Sequence, residues 1–321
     1  MKAGLERALV ILGPTASGKT ALALAVAKKI PCEIISLDSA LIYKGMDIGT
    51  AKPTLEEMAL CPHHLIDIID PRQSYSAANF AHDCTSLVKE IWHRGRLPVI
   101  CGGTMMYYKA LCDGISPLPV TDEKVRAKIA AQAQESGWPA MHEKLRNIDP
   151  VLYARLAPND KQRISRALEV YAMTGRSMSS FYEEKGSKCP FLREEIVLLP
   201  DDGRESLRKI IKERFEIMLK SGFEDEVRRL KERGDLNLQM PSMRCVGYRQ
   251  MWEYLDGILS YDEMRERSVI ATCRLAKHQM TWLRGGLGDN KEVKRTMLIP
   301  GKKGNEEEAL KIALRFLKNE R

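Results

Sequence analysis

The sequence lacks any apolar run approaching the ~20 residues of a membrane-spanning helix, so a bilayer-crossing helix is excluded and no membrane partner is expected. Its opening, MKAGLERALVILGPT, holds an apolar run too short for a signal peptide, and that run leads directly into a glycine-rich loop. Eight cysteines are present (Cys32, Cys61, Cys84, Cys101, Cys112, Cys189, Cys245 and Cys273), but no two form a CxxC pair. That argues against a zinc site. Most lie among apolar neighbours, as free thiols in a reducing cytoplasm do, and a cytoplasmic location is expected. Internal repeats and low-complexity tracts are also missing.

What is present is ordinary globular material: 321 residues, 44% hydrophobic and 29% charged, enough for one large domain or two modest ones. The net charge of +8 is unevenly placed. Residues 1–115 carry 12 basic and 11 acidic side chains, residues 116–199 carry 13 and 11, and residues 200–321 carry 26 and 21. The excess therefore lies downstream of the first hundred residues. A basic excess draws a polyanion such as nucleic acid or an anionic membrane surface, although a soluble protein can be basic without either.

From Arg7 to Ile100, short apolar runs alternate with helical periodicity. ALVILG (8–13), CEIISLD (32–38), HLIDIID (64–70) and LPVICGG (97–103) read as strands. KTALALAVAKKI (19–30) and FAHDCTSLVKEIWHRG (80–95) read as helices. This alternation predicts an α/β fold, a doubly wound parallel sheet with helices on both faces. After Gly114 the Pro-rich SPLPVTD (116–122) is linker-like, and the text to about residue 184 is helical. EEIVLLPDD (194–202) then restores a strand, followed by a long helix over 205–233. The expected division is a core of residues 1–117 and 191–321 with a helical insertion at 118–190. The tail, 300–321, reads as a loop and a short amphipathic helix with no function assigned.

Residues 13–20, GPTASGKT, form a full GxxxxGK[ST] between a strand and a helix, the context that a phosphate-binding loop requires. Gly13 and Gly18 let backbone amides turn inward around phosphate oxygens, and the helix starting near Lys19 directs its positive end there. Lys19 adds a full charge, and the Thr20 hydroxyl is suited to hold a magnesium ion bridging two phosphates. A kinase or ATPase pairs such a loop with an apolar strand ending in a magnesium-holding Asp. Here PVIC (98–101) runs instead into Gly102, Gly103 and Thr104. Asp67 and Asp70 are substitutes outside that context. A guanine-reading NKxD is missing, because Asn290-Lys291 continues as Glu-Val.

Ligands in doubly wound sheets sit beyond the carboxyl ends of the strands. Asp38 ends the second strand near the phosphate loop. It could take a proton from a nucleophile or simply cap the next turn. Thr104, after two glycines, could face a ligand or only close a tight turn. Asp47, Lys52 and Tyr107 are supporting groups at most.

The ordered set GPTASGKT, DSALIYKGMDIGTAKP, HHLIDIIDP, CGGTMMYY, NDKQRISRALEVYAMTG (159–175) and MRCVGYRQMWEYL (243–255) resembles the bacterial tRNA dimethylallyltransferases, from residue 8 to about 285. The resemblance implies a P-loop-type fold that has exchanged nucleotide for dimethylallyl diphosphate, with magnesium. The acceptor it implies is adenosine 37, beside the tRNA anticodon. Gly13, Pro14, Thr15, Ala16, Ser17, Gly18, Lys19 and Thr20 would bind the diphosphate. Asp38 would be the general base for the exocyclic amine, and Thr104 would sit at the base-entry channel. Asp38, Ser39, Ala40 and Leu41, together with Thr104, Arg126, Gln162, Arg163, Ile164, Ser165 and Arg166, would touch the tRNA anticodon stem-loop. So would Arg244, Cys245, Val246, Gly247, Tyr248 and Arg249. Met106 stands where family members often carry Leu, a volume-conserving swap. The C-terminal zinc finger of eukaryotic relatives has no counterpart after Cys273. No obligate protein partner is expected.

The chemistry is coherent with those residues. An adenine amine needs a base, and a departing pyrophosphate needs loop amides, Lys19 and magnesium on Thr20. The target base must also leave its stack. Arg214, on the helix after the returning strand, is placed to reach the diphosphate. Arg163 and Arg166 share a helix face, and Arg267, Arg274, Lys277 and Arg284 form another ridge. With Tyr248 and Trp282 nearby, that ridge suits single-stranded loop recognition, although a Trp such as Trp282 is more often a core residue than a stacking platform. Two rival readings stand beside the tRNA-modifying transferase: a small-molecule kinase or an isopentenyltransferase acting on free adenylate, and a non-catalytic nucleotide switch.

Overall fold

The computed structural model describes residues 5–114, 116, 118–183, 189–286 and 293–318. Residues 1–4, the end of the insertion at 184–188, the Asn290-Lys291 pair and residues 319–321 lie outside the described residues. The chain divides into two compact units, one of residues 1–111 and 190–321, the other of residues 112–189.

The first unit is built on β1 (Arg7–Leu12), α1 (Lys19–Ala27), β2 (Cys32–Leu37), α2 (Leu55–Leu60), β3 (His63–His64), α3 (Ala77–His93), β4 (Leu97–Gly102) and α4 (Met105–Asp113). In the second unit follow α5 (Glu123–Ile148), α6 (Pro150–Arg155), α7 (Lys161–Thr174) and α8 (Met178–Glu183). The chain then returns to the first unit with β5 (Leu192–Leu198), α9 (Glu205–Lys220), α10 (Phe223–Glu232), α11 (Tyr248–Leu255), α12 (Tyr261–Thr281), β6 (Lys294–Leu298) and α13 (Asn305–Lys318).

The six strands form one sheet, ordered β3-β2-β4-β1-β5-β6, with every pairing parallel. Strands buried on both faces must be apolar throughout. In β1, Ala8 to Leu12 are all fully buried. Alternation sends Leu9 and Ile11 into a cluster with Ala23 and Val26 of α1 and Ile312 of α13, so Ala8, Val10 and Leu12 face the opposite side. This is the doubly wound P-loop-type α/β sheet expected from the sequence.

Three elements differ from expectation. The third strand is only His63–His64, paired with Ile34 and Ile35. Beyond it, Leu65 (φ 61°) and Asp67 (φ 55°) adopt left-handed backbone, which ends the ladder despite the alternating HLIDIID pattern. The helix over 205–233 is two helices, α9 and α10, separated at Gly222, whose φ of 94° suits glycine. The segment before the tail supplies the sheet's edge. Strand β6 pairs with β5, while Ala309, Ile312 and Ala313 of α13 are buried against α1.

Beside the sheet, α9 to α12 enclose their own core of Phe215, Phe223, Val227, Tyr248, Met251 and Trp252, which also receives Ile42, Tyr43 and Met46 from the segment after β2. The second unit closes on Ile129, Leu145, Leu152, Ile164 and Leu168. Its long α5 bends at Gly137 (φ 79°), two residues before Pro139. Asp149, fully buried, fastens α6 and α8 by accepting from the Leu152 and Ser179 amides at 3.1 and 2.8 Å.

Candidate active site

The loop GPTASGKT leaves β1 and tightens through Ala16 (φ 65°) and Gly18 (φ 81°) into the N-terminus of α1. The amide of Ser17 donates to the Pro14 carbonyl (3.3 Å) and Lys19 Nζ to the same oxygen (3.2 Å). The ends of β2 and β4 lie close beside it. A Cβ on Gly102 would collide with the Leu37 carbonyl, so only glycine permits this approach.

These strand ends open into a cavity of about 610 Å³. The phosphate loop contributes Thr15, Ala16, Lys19 and Thr20, the end of β2 contributes Asp38 to Leu41, and the end of β4 contributes Cys101 to Met106. The far wall comes from Arg214 on α9, the segment Arg244 to Tyr248, and Gln279 and Trp282 at the end of α12.

Charge in the cavity is coupled. Burial pulls Lys19 below its ordinary pKa, with Asp38 drawing it back up and Arg214 adding repulsion. Arg214 is likewise lowered by burial and supported by Asp38. One carboxylate thus faces two cations, leaving an excess of positive charge for an anionic ligand. The thiols of Cys101 and Cys245 are each pushed up to about 12, chiefly by burial, so neither is a thiolate nucleophile at neutral pH.

Asp38 closes a turn and also faces the cavity. Its Oδ1 accepts from the Ala40 amide at 2.8 Å. Thr104 Oγ1 accepts from the Ser39 amide (3.0 Å), and the Thr104 amide donates to the Leu37 carbonyl (3.1 Å). The Asp38 and Thr104 turns are thereby tied together.

The residues expected to touch nucleic acid separate into different environments. Ser39, Ala40, Leu41, Arg244, Cys245, Val246 and Gly247 line the cavity. Tyr248 lines it too but is fully buried, its ring packed edge-on against Phe223 and its hydroxyl donating to Glu226 at 2.5 Å. It is a core residue, not the stacking platform expected. Arg249 pairs with Glu253 at 2.9 Å.

In the second unit, Ile164 is fully buried in the core, which corrects its expected role as an RNA contact. Arg126, Ser165 and Arg166 converge on the buried Glu169, at 2.9, 3.1 and 3.4 Å. Arg166 also donates to the Pro119 carbonyl at 2.6 Å. Arg163 is far more open, its side chain 72% exposed beside Asp160, and Gln162 is exposed on the same helix. Arg163 and Arg166 therefore do not act as one exposed pair.

Other expectations resolve locally. Along α12, Arg267 pairs with Glu263 (3.5 Å), and Arg274 and Lys277 flank a separate groove against α9. Asp70 is held by Arg233, and Asp67 by Lys52, so neither acid serves the phosphate loop. Lys52 is itself buried between Asp47, Asp67 and the Tyr43 carbonyl (3.1 Å). The Tyr107 hydroxyl donates to the Tyr75 carbonyl at 3.0 Å.

Two organising residues escaped the sequence reading. Glu226 accepts from the amides of Asp47, Ile48 and Gly49 at 2.9, 2.8 and 3.1 Å and shapes one cavity wall. Gln279 bonds both the phosphate loop and the Gly103 turn. Neither belongs to a local motif. Only the folded chain joins them to the site.

A P-loop on a parallel sheet, opening into a cation-rich cavity with one carboxylate, defines a phosphate-handling α/β enzyme scaffold. The model of the IPP transferase family matches residues 41–286, beginning just after the phosphate loop and Asp38. Likeness to solved structures extends over both. The tRNA isopentenylpyrophosphate transferase of Bacillus halodurans is 34% identical, with 98% of this chain and 97% of that one covered at a TM-score of 0.67. A tRNA isopentenylpyrophosphate transferase from Staphylococcus epidermidis is 32% identical over 98% and 99%, with a TM-score of 0.66. A eukaryotic dimethylallyltransferase described as acting on tRNA shares the fold at 24% identity, with a TM-score of 0.84 over 98% of this chain and 80% of that one. The chain belongs to the IPP transferase family, a family of prenyltransferases.

Proposed function

We propose that this protein transfers a dimethylallyl group from dimethylallyl diphosphate to the exocyclic amine of adenosine 37 in tRNA. The observation that carries the reading is the meeting, in one cavity, of the phosphate loop, Arg214 and a single carboxylate, Asp38, tied to Thr104. A phosphate loop with no acid at the end of β4, where Gly102, Gly103 and Thr104 stand instead, fits a diphosphate that departs, not one attacked by water.

In the proposed reaction the amine nitrogen bonds to the allylic carbon as its carbon–oxygen bond breaks, and pyrophosphate leaves with the electron pair. Asp38 takes the amine proton. Loop amides, Lys19 and Arg214 face the charge growing on pyrophosphate in a site sheltered from bulk water. Thr104 and Ser39 hold the Asp38 turn. Segment 244–247, carrying Arg244, borders the cavity and is proposed to meet the RNA loop. Gln162, Arg163 and the other polar residues of the second unit would meet its backbone.

Magnesium fits the donor set. It favours one or two protein oxygens plus substrate phosphates. The cavity offers the Thr20 hydroxyl beside the phosphate loop, and the described residues hold no group of three or more His, Cys, Asp or Glu side chains that could hold a metal on their own. When bound, the ion would neutralise diphosphate charge from Thr20.

The test supplies magnesium and labelled dimethylallyl diphosphate with either an unmodified anticodon stem-loop carrying adjacent adenosines or free AMP. Label should enter the RNA. Label on AMP alone, or ATP hydrolysis with the isoprenoid ignored, overturns the reading.

A further inference from the structure

Gln279 sits two residues before the end of α12, 264 residues along the chain from Thr15 and 176 from Gly103, yet it is bonded to both. Its Oε1 accepts from the Thr15 amide at 2.8 Å, and its Nε2 donates to the Gly103 carbonyl at 2.9 Å. A backbone amide can only donate and a carbonyl can only accept, so the two partners dictate the orientation of the side-chain amide. One planar group therefore spans the loop assigned to the diphosphate and the turn that leads to Thr104.

A second observation is independent of these bonds. A Cβ built on Gly103 would lie 2.6 Å from Gln279 Nε2 and 2.8 Å from the Gly13 carbonyl. The backbone at 103 is thus pressed against the amide of Gln279 on one side and the phosphate loop on the other. The second glycine of CGGT is required by this close approach, since its φ is not in the left-handed region.

From Gly103 the connection continues. Thr104 Oγ1 accepts from the Ser39 amide, and the adjoining Asp38 carboxylate closes its own turn onto the Ala40 amide. We infer that Gln279 is a positioning residue. It fixes the separation between the phosphate loop and the Asp38–Thr104 turns, and hence between the leaving group and the attacking amine. The inference rests on the reading given under Proposed function. Its energetic logic is that of oriented reactants: small displacements between reacting groups cost rate without costing much binding.

The experiment compares the wild-type full chain with Gln279→Met and Gln279→Glu. Methionine keeps length and volume but cannot make either bond. Kinetics use saturating labelled dimethylallyl diphosphate and an anticodon stem-loop. Q279M should lower kcat by roughly tenfold to a hundredfold, with KM for RNA within about threefold of wild type and a thermal midpoint lowered by only a few degrees, so that the protein stays folded at the assay temperature. A neutral carboxylic acid has the donor and acceptor of an amide, whereas a carboxylate only accepts. The kcat of Q279E relative to wild type should therefore rise as pH falls from 8 to about 5.5, while the Q279M ratio stays flat. A purely structural role would give a loss of kcat that tracks the fraction of unfolded protein and a pH-flat ratio for both variants. That result, or wild-type kcat in Q279M, overturns the inference.

Amide hydrogen exchange separates this failure from failure of the functional reading. Exchange at Thr15 should accelerate at least about tenfold in Q279M, whether or not any RNA is modified. Unchanged exchange at Thr15 removes the bond and the proposal with it. Should Q279M fail to fold, the pH profile of Q279E decides alone.

Discussion

Tyr248 donates its hydroxyl to Glu226 across 2.5 Å in a buried pair, and the same carboxylate accepts three consecutive amides from Asp47, Ile48 and Gly49. Burial, with the Glu226 charge next, pushes the Tyr248 phenol up, so it remains a donor across the physiological range. The pair ties the C-terminal helices to the segment that follows β2. A Cβ on Gly49 would run into the rings of Phe223 and Tyr248, which marks how closely that segment is packed.

Glu226→Gln should destabilise the fold by about 1–3 kcal/mol, because a neutral amide replaces a carboxylate holding four donors. Tyr248→Phe removes one of those bonds and should cost about 1–2 kcal/mol. Denaturant midpoints measure both. Equal, negligible shifts would show that the cluster carries no net stability.

Asp38→Ala should reduce turnover by roughly 10²–10⁴ while leaving RNA affinity nearly unchanged. Single-turnover labelling and a binding isotherm on the same stem-loop separate the two quantities. Near-normal turnover would remove Asp38 as the base.

The arginines of the second unit should behave differently from one another. Arg163→Ala should weaken RNA binding and flatten the salt dependence by about one unit per lost phosphate contact. Arg166→Ala should instead lower the thermal midpoint of the protein, since it strips partners from Pro119, Thr121 and Glu169, at about 1–2 kcal/mol. A salt slope unaffected by Arg163→Ala would leave that residue with only its Asp160 contact.

The Arg233 hydrogen bond and the Arg72 amide hold Asp70 at about 2, below its ordinary 3.8. A depressed folded pKa contributes stability that is present above 3.8 and is lost as pH falls through 3.8 toward 2. The side chain is about one-third exposed, so screening trims this to about 1 kcal/mol. Asp70→Asn should flatten that acid limb of the stability curve and leave the profile above pH 5 unchanged in shape. An identical acid limb in the variant contradicts the assignment.

How legible the molecule was depends on the distance over which each feature is encoded. The phosphate loop, four of the apolar strands and the helices over 19–30 and 80–95 are local patterns, set by glycine backbone freedom and by period-two or helical burial. HLIDIID shows where pattern fails: alternation promised a strand, but left-handed turns at Leu65 and Asp67 and a buried lysine take its place. The residue types of the site were readable as well, since Asp38 and Thr104 follow strand ends and Lys19 and Thr20 open the helix after the phosphate loop.

The sequence alone determined the central parallel strands and the phosphate loop, because each is written within a short stretch of chain. Tertiary structure decided which charges are displayed and which are consumed: Arg163 is open while Arg166 braces Glu169, and Tyr248 is core despite its motif. It also decided that Gln279 and Glu226 belong to the site. Their bonds cross 264 and 179 residues of sequence, and hydrogen bonding over such spans is set by packing rather than by any local periodicity.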